Sequence, residues 1–299
     1  ALNAHRHLLN NEKMLTKSLE RLSSAQKINR GADGPAALVI SEGMRSQIAS
    51  LHQAADNNES AISLVQTAEG ALNEVSTLLR DMRQRAVAAA NIGLNDENMV
   101  NASQQEIENA LDTIDRISTN TQFGSKNLLD GNGTVAAGIP AVEAEAAAEA
   151  SAKNSKIFAF QIGAEEGQMV SIDLPNVATT ELAKGVSNQS GFASLADVDV
   201  TTGQGAQDAM AVIDTAIEEI AVARGEMGAF QKNTLESNLT SLRIHTENLT
   251  AAESSIRDAD IAVELAAFTR NQIMTQSATA QLAQANALPK NVMALLASQ

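Results

Sequence analysis

The chain contains no cysteine, tryptophan or tyrosine, and only four of its 299 residues are proline. Without cysteine, neither disulfides nor thiolate-bound metal can hold the fold, although this absence fixes no compartment. Six phenylalanines supply all of the aromatic content, 2% of residues, while 44% of the chain is hydrophobic. The core must therefore be built from Ala, Leu, Ile, Val and Met, a mixture that suits long, closely packed helices better than a globular enzyme pocket. The prolines, Pro35, Pro140, Pro175 and Pro289, leave 36–139 and 176–288 free of helix breakers. No run of about 18 apolar residues reads as a membrane span. The opening ALNAHRHLLNNEKML does not have the form of a cleavable secretory signal, so export would need another route.

Positive charge is also scarce. Twenty-one basic residues against 36 acidic ones give a formal net charge of −15, which argues against binding nucleic acid through its phosphates. The imbalance is local. Residues 1–30 carry +4, segment 258–299 carries −1, and the middle carries −18. A basic polar face on the first helix could meet a membrane or an acidic partner, but a solvated face is the simpler reading.

Periodicity supplies the architecture. Met44, Ile48, Leu51, Ala55, Asn58, Ile62 and Val65, continued by Ala68, Leu72, Val75, Leu79, Met82, Ala86 and Ala89, form a heptad-like seam with one stammer at Val65 and one polar member, Asn58. At 1.5 Å per residue this predicts a rod of roughly 70 Å, which needs a partner to cover its seam. Gly93 reads as a stop, with Asn95 or Asp96 capping a second helix marked by Val100, Ile107, Leu111, Ile114 and Ile117, closed by Gly124 and DGNG at 130–133. This pair should fold as an antiparallel hairpin. Val142 to Ala152 reads as a surface helix or flexible stretch; KIFAFQIG and QMVSIDLP alternate like a β-hairpin, and the remainder to Gly205 reads as mixed or loop. Met210, Ile213, Ile217, Ile220 and Met227, then Leu235, Leu239, Leu242, Leu249 and Ile256, supply the covering rod. At the ends, Leu8, Leu15 and Leu22 repeat every seven residues with Leu19 between, and Ile261, Leu265, Phe268, Ile273 and Leu282 lead to Leu288, Val292, Leu295 and Leu296. An apolar stripe at a terminus implies a cover, either the protein's own core or another molecule.

The residue pattern offers little chemistry. His5 and His7 point to opposite sides of a helix, and His52 and His245 stand alone, so none suggests a metal site. Asp258 and Asp260 resemble the start of a calcium loop that Ala262 and the residue at 263 break. GADGPAAL at 31–38 lacks the G-K-[ST] ending of a phosphate loop and reads as a turn. No cofactor and no enzyme activity are expected.

Several blocks resemble the bacterial flagellins: RLSSAQKINRGADGPAALVISEGMRSQI, QTAEGALNEVSTLLRDMRQRAVAAAN and DRISTNTQFGSKNLLDG near the start, FQIGAEEGQMVSIDLP in the centre, and RGEMGAFQKNTLESNL, ESSIRDADIAVELAAFTRNQI and LAQANALPKNVMALL towards the end. The resemblance covers roughly 1–130, 157–175 and 208–296. It implies a mainly α fold, a long antiparallel helical bundle or coiled coil with a small β-containing insertion. The implied layout is an N-terminal D0 helix at 1–30, a spoke at 31–43, a D1 helical hairpin at 44–130, a variable insertion at 131–204, a C-terminal D1 helix at 205–257 and a C-terminal D0 helix at 258–299.

It further implies a secreted structural subunit that self-assembles into the extracellular flagellar filament, exported unfolded by the flagellar type III route. Implied partners are copies of the same chain, an export chaperone at the C-terminal segment, and the filament cap and hook-junction proteins. The terminal helices would form an inner tube packed through Leu8, Leu15, Leu19, Leu22, Ile261, Leu265, Phe268, Leu282, Val292, Leu295 and Leu296. Disorder of these ends in the monomer would delay assembly, since ordering costs about 1–2 kcal/mol per residue.

Three departures matter. The family's chains begin ahead of a segment like ALNAHR, so this one is expected to start inside the first helix or to have been trimmed. The spoke reads SAQKINRGADGPAAL where many members have SGLRIN and two adjacent Asp residues. In the segment matching the family's innate immune receptor site, LQRVRELAVQSAN, Arg83, Ala86, Val87, Ala90 and Asn91 agree, but Asp81, Gln84 and Arg85 replace a basic residue, an acidic residue and a leucine; strong receptor recognition is not expected. The short insertion predicts a slim filament. The alternatives are a hook–filament junction protein and, from another class, a chemoreceptor-like signalling hairpin.

Overall fold

A computed structural model describes residues 2–91, 93, 96–131 and 155–296, with the side chains of 2, 4 and 286–296 outside that description. Helix α1 (Leu2–Ser24) and a 3-10 turn (Gly31–Asp33) lead to α2 (Pro35–Ala89), opened by a proline whose missing N–H is not needed at a first helical position. Asp96 caps α3 (Glu97–Asn120), its carboxylate accepting from the Met99 amide at 2.8 Å. A minimal hairpin follows, β1 (Gln122–Phe123) and β2 (Lys126–Asn127), turned by Gly124 at φ +65°. Strands β3 (Lys156–Gln161) and β4 (Met169–Leu174) form the antiparallel hairpin read from the alternation, with Phe158 opposite Ile172 and both buried. Thr202 caps α4 (Gly203–Phe230), which passes through a π-helical turn (Gln231–Glu236) into α5 (Ser237–Arg257); α6 (Ile261–Leu296) ends the described chain. Gly205 is required at the start of α4, since a Cβ there would lie 2.4 Å from the Asp199 carbonyl oxygen. The stretch Val142 to Ala152 lies outside the described residues.

The chain divides into two compact units, Ala1–Ala49 with His245–Gln299, and Ser50–Ile244. The larger unit holds the core. On α2, Leu51, Ala54, Asn58, Ala61, Val65, Ala68, Leu72, Val75, Leu79, Met82, Ala86 and Ala89 are buried. Their steps alternate three and four without interruption, so the stammer expected at Val65 is absent; Ala54 and Ala61 take the places given to Ala55 and Ile62, which are half-buried. The end of β3 reaches α2 beside Ala54. There Asn57 donates to the Gln161 carbonyl at 3.1 Å and Asn58 to the Ile162 carbonyl at 3.3 Å.

Helices α4 and α5 cover this seam as expected. Ala206, Ala209, Ile213, Ala216, Ile220 and Met227 are buried in heptad steps, but the next buried residue, Leu235, comes one residue late. The π turn absorbs that extra residue and returns Leu235 and Leu242 to the inward face. Ion pairs Arg83 with Asp214 (2.5 Å), Arg224 with Glu69 (3.9 Å) and Arg243 with Glu59 (2.9 Å) fix the antiparallel sense. Arg85 pairs with Glu106, as helices joined by a tight connection require. Arg224 and Glu69 are half-buried, whereas the other three pairs are exposed and contribute little stability.

The Ser- and Thr-rich stretch 175–202 is irregular, but it is not a surface loop. Val177, Leu182, Leu195, Val198 and Val200 are buried in the same core. Its backbone is satisfied from neighbouring helices: Asp115 accepts from the Thr179 amide at 2.8 Å, Glu219 from the Ala183 amide at 2.9 Å, and Gln104 Oε1 from the Val200 amide at 2.9 Å.

Candidate functional site

The smaller unit is built on α1 and α6, and its seam is only partly apolar. Helix α1 turns inward Leu8, Asn11, Leu15, Ser18 and Leu22; α6 turns inward Phe268, Asn271, Thr275, Ala278 and Leu282. Steps of three and four on each helix make this an antiparallel coiled coil, its direction fixed by Arg21 against Glu264 at 3.7 Å. At its centre the Asn271 amide donates to Ser18 Oγ at 3.4 Å, with these residues only 7% and 5% exposed. Polar residues at such positions set register and reduce stability.

The deficit is visible in the burial. Among the described residues of this unit, Ile28 and Ala278 are the only buried apolar ones. Meanwhile Leu9, Met14, Leu19, Val39, Ile40, Ile261, Val263, Leu265, Ile273 and Met274 are exposed. Leu265, Thr269, Ile273 and Met274, with Ala262, Ala266 and Arg270, line a shallow apolar groove along α6. A helix pair with polar layers inside and apolar flanks outside has its hydrophobic surface on the wrong side for a free-standing domain.

The connections into this pair are stitched at one point. The Lys27 amide donates to the Arg257 carbonyl at 2.6 Å and the Ala259 amide to the Ala25 carbonyl at 2.9 Å, with Ala25 at φ +57°. The Arg257 guanidinium donates to Gln26 Oε1 at 3.1 Å, Ser41 Oγ at 3.4 Å and Glu42 Oε1 at 2.7 Å; Ser41 in turn donates to Glu253 at 3.0 Å. Arg257 holds the Glu42 carboxyl below its usual range, and the Lys17 ammonium, 2.6 Å away, does the same for Asp33. Asp258 and Asp260 serve helix ends: Asp258 accepts from Ser254 Oγ at 2.6 Å, and Asp260 accepts from the Ala262 amide at 2.9 Å and the Val263 amide at 3.2 Å. All four histidines are exposed, and among the described residues no three metal-ligating side chains converge.

The residues expected in tube packing separate into groups. Leu8, Leu15, Leu22, Phe268 and Leu282 are half-buried in the α1–α6 seam, while Leu19, Ile261 and Leu265 face outward. Val292, Leu295 and Leu296 fall within α6, with side chains outside the described ones. Leu9, Met14, Val263, Ile273 and Met274 add to the outer face of the pair, and Val39 and Ile40 of α2 are exposed as well, a set a search for one inward stripe passes over. In the segment 83–91 of the larger unit, Arg83, Val87 and Asn91 are exposed, Ala86 is buried and Ala90 half-buried. Both Asp214 oxygens bind Arg83, at 2.5 and 3.2 Å.

An arrangement of long seams, an irregular segment packed as core, and a helix pair with an uncovered apolar exterior defines a helical structural protein. The model of the bacterial flagellin N-terminal helical region matches residues 1–134, and that of the bacterial flagellin C-terminal helical region matches 210–296. The flagellin of Bacillus subtilis is 40% identical, over 99% of this chain and 97% of its own length. A flagellar filament 30.7 kDa core protein of Treponema maltophilum is 34% identical, over 98% and 96% respectively. In fold, the chain is similar to a structure assigned to a flagellar hook-associated protein from Vibrio parahaemolyticus, with a TM-score of 0.59 and 17% identity over 76% of this chain and 100% of that one. The chain belongs to the bacterial flagellin family.

Proposed function

We infer that this protein is a structural subunit that polymerises with copies of itself into the bacterial flagellar filament, outside the cell. Family membership supports the general role; the observation that carries the mechanism is the α1–α6 pair, with scarcely any apolar core and eight large apolar side chains exposed among its described residues. Neighbouring copies would cover that surface, making assembly the step that completes the fold. We assign 1–30 and 258–299 to inner-tube helices, 31–43 to the connection, 44–130 and 205–257 to the surrounding bundle, and 131–204 to the insertion. Leu8, Leu15, Leu22, Phe268 and Leu282 hold the pair together, while Leu19, Ile261 and Leu265 contact other copies; Val292, Leu295 and Leu296 extend the stripe.

Export in unfolded form by the flagellar type III route, a chaperone at the C-terminal segment, and contacts with cap and hook-junction proteins belong to the same proposal. The net charge of −15 disfavours nucleic acid as a partner. Receptor recognition through 83–91 is proposed to be weak, because Arg85 is engaged with Glu106 and Ala86 faces the core. The hook-junction and signalling-hairpin alternatives are not favoured, since the curated relatives that match at full length are flagellins and filament core proteins.

Seeded growth on filament fragments, followed by negative-stain electron microscopy, tests the reading with the intact chain and one lacking 288–299. Growth of the intact chain and failure of the truncated one is expected. An intact chain that stays monomeric with both terminal helices protected in hydrogen exchange would contradict it.

A further inference from the structure

The nine methionines occupy contrasting environments. Met82 and Met227 are 1% exposed in the core of the larger unit, whereas Met14 and Met274 are 56% and 43% exposed on α1 and α6. Their placement follows from the seam. Met14 lies one turn before Ser18 and Met274 about one turn after Asn271, so the contact between Ser18 and Asn271 puts them within a turn of the same level in the antiparallel pair. Each directly precedes a seam residue, Leu15 or Thr275, and an antiparallel coiled coil turns such positions to the same flank. Two soft thioethers thus lie at neighbouring levels on one flank of the apolar exterior. No charged or nucleophilic neighbour is needed to make a thioether reactive; access by the oxidant is enough.

We propose that Met14 and Met274 are an oxidation-sensitive modification site that controls addition of a subunit, the substrate being a peroxide-class oxidant. This rests on the assembly role above. The sulfur lone pair attacks one oxygen of hydrogen peroxide; the O–O bond breaks, an S–O bond forms, and the departing hydroxide takes the proton of the transferred oxygen and leaves as water. Sulfur loses two electrons and the peroxide gains them. The thioether becomes a polar sulfoxide, a strong acceptor whose desolvation opposes covering of this flank by the next copy. Sulfoxide reductases reverse the change, so subunits are blocked before incorporation and recoverable afterwards, whereas the sulfurs of incorporated subunits are covered.

The test uses the full chain, partly oxidised with hydrogen peroxide, seeded, and separated into filaments and soluble protein. Mass spectrometry then measures sulfoxide at each methionine in each fraction. Sulfoxide at Met14 and Met274 should be depleted about tenfold from filaments, and reductase treatment of the soluble fraction should restore growth. The variant M14L/M274L, compared with its own untreated yield, should lose no growth on oxidation. Equal sulfoxide at Met14 and Met274 in both fractions, or equal loss of growth by oxidised M14L/M274L, overturns the proposal while untreated growth leaves the assembly role intact. Failure of the untreated chain to grow overturns both.

Discussion

Truncating Leu19 and Leu265 together should weaken assembly without weakening the free subunit. The two leucines follow Ser18 and the half-buried Glu264, which continues the α6 seam four residues before Phe268; this places them on one flank of the helix pair, opposite Met14 and Met274. They are 48% and 51% exposed in the subunit. Full burial of a leucine stabilises by roughly 1.5–3 kcal/mol, so about 1 kcal/mol per side chain remains to be gained when a neighbour covers it. L19A/L265A forfeits about 2 kcal/mol of that gain, a factor of about 30 in an equilibrium constant. In the free subunit little changes, because Ala is a better helix former than Leu and no cavity opens. Sedimentation of seeded reactions over a concentration series should show the critical concentration rising about thirtyfold, with helicity and urea unfolding of the monomer unaltered. An unchanged critical concentration would refute the assignment of this flank to contacts between copies. A monomer destabilised by several kcal/mol would show that the leucines are already packed.

Further predictions concern the subunit itself. Leu72, 0% exposed in the α2 seam, should cost about 2–5 kcal/mol when replaced by Ala, read by urea unfolding of the larger unit. Asn58 is fully buried and its amide serves Ala54 O, Ile162 O and Asn238 Oδ1, while its own Oδ1 lacks a partner among the described residues. N58A should destabilise by about 1–3 kcal/mol, and a double-mutant cycle with N238A should show coupling; purely additive losses would exclude the paired amides. The folded pKa of Glu42, lowered chiefly by Arg257, and that of Asp33, lowered chiefly by Lys17, are depressed from 4.5 and 3.8. Depressed carboxyl values give stability present above the unfolded pKa and lost as pH falls through the folded one. Hydrogen-exchange protection around 25–27 and 253–259, measured relative to the intrinsic rate at each pH, should therefore fall below about pH 4, and E42Q should flatten that dependence; an identical acid response in E42Q would place its cause elsewhere.

The helices and the hairpin were legible because burial on one face leaves a period in the sequence, about 3.5 for α2 and α4 and 2 for KIFAFQ and MVSIDL. The phase of the α2 seam was harder to read. Hydropathy favours Ile62, whereas the folded chain buries Ala61 and leaves Ile62 half-buried, a choice set by packing across the whole unit. The eight-residue step from Met227 to Leu235 carried the signal for the π turn without saying how the helix would absorb it. Segment 175–202 has the composition of a loop, and only its long-range contacts with Asp115, Glu219 and Gln104 reveal it as core. At the candidate site, the inward leucines repeat every seven residues and could be found. The outward set, Met14, Val263 and Met274 among them, has no period of its own, and the Arg257 cluster joins three segments distant in sequence.

The central claim is that the α1–α6 pair is completed by other copies of the chain. Hydrogen exchange with mass spectrometry, comparing free subunits with filaments, tests it most directly. Peptides from 2–24 and 261–285 should exchange fast in the subunit and slowly in the filament, while 51–89 and 206–227 stay protected in both. Equal, strong protection of the terminal helices in both states would mean that the pair is stable alone, and its exposed apolar flank would not be what drives assembly.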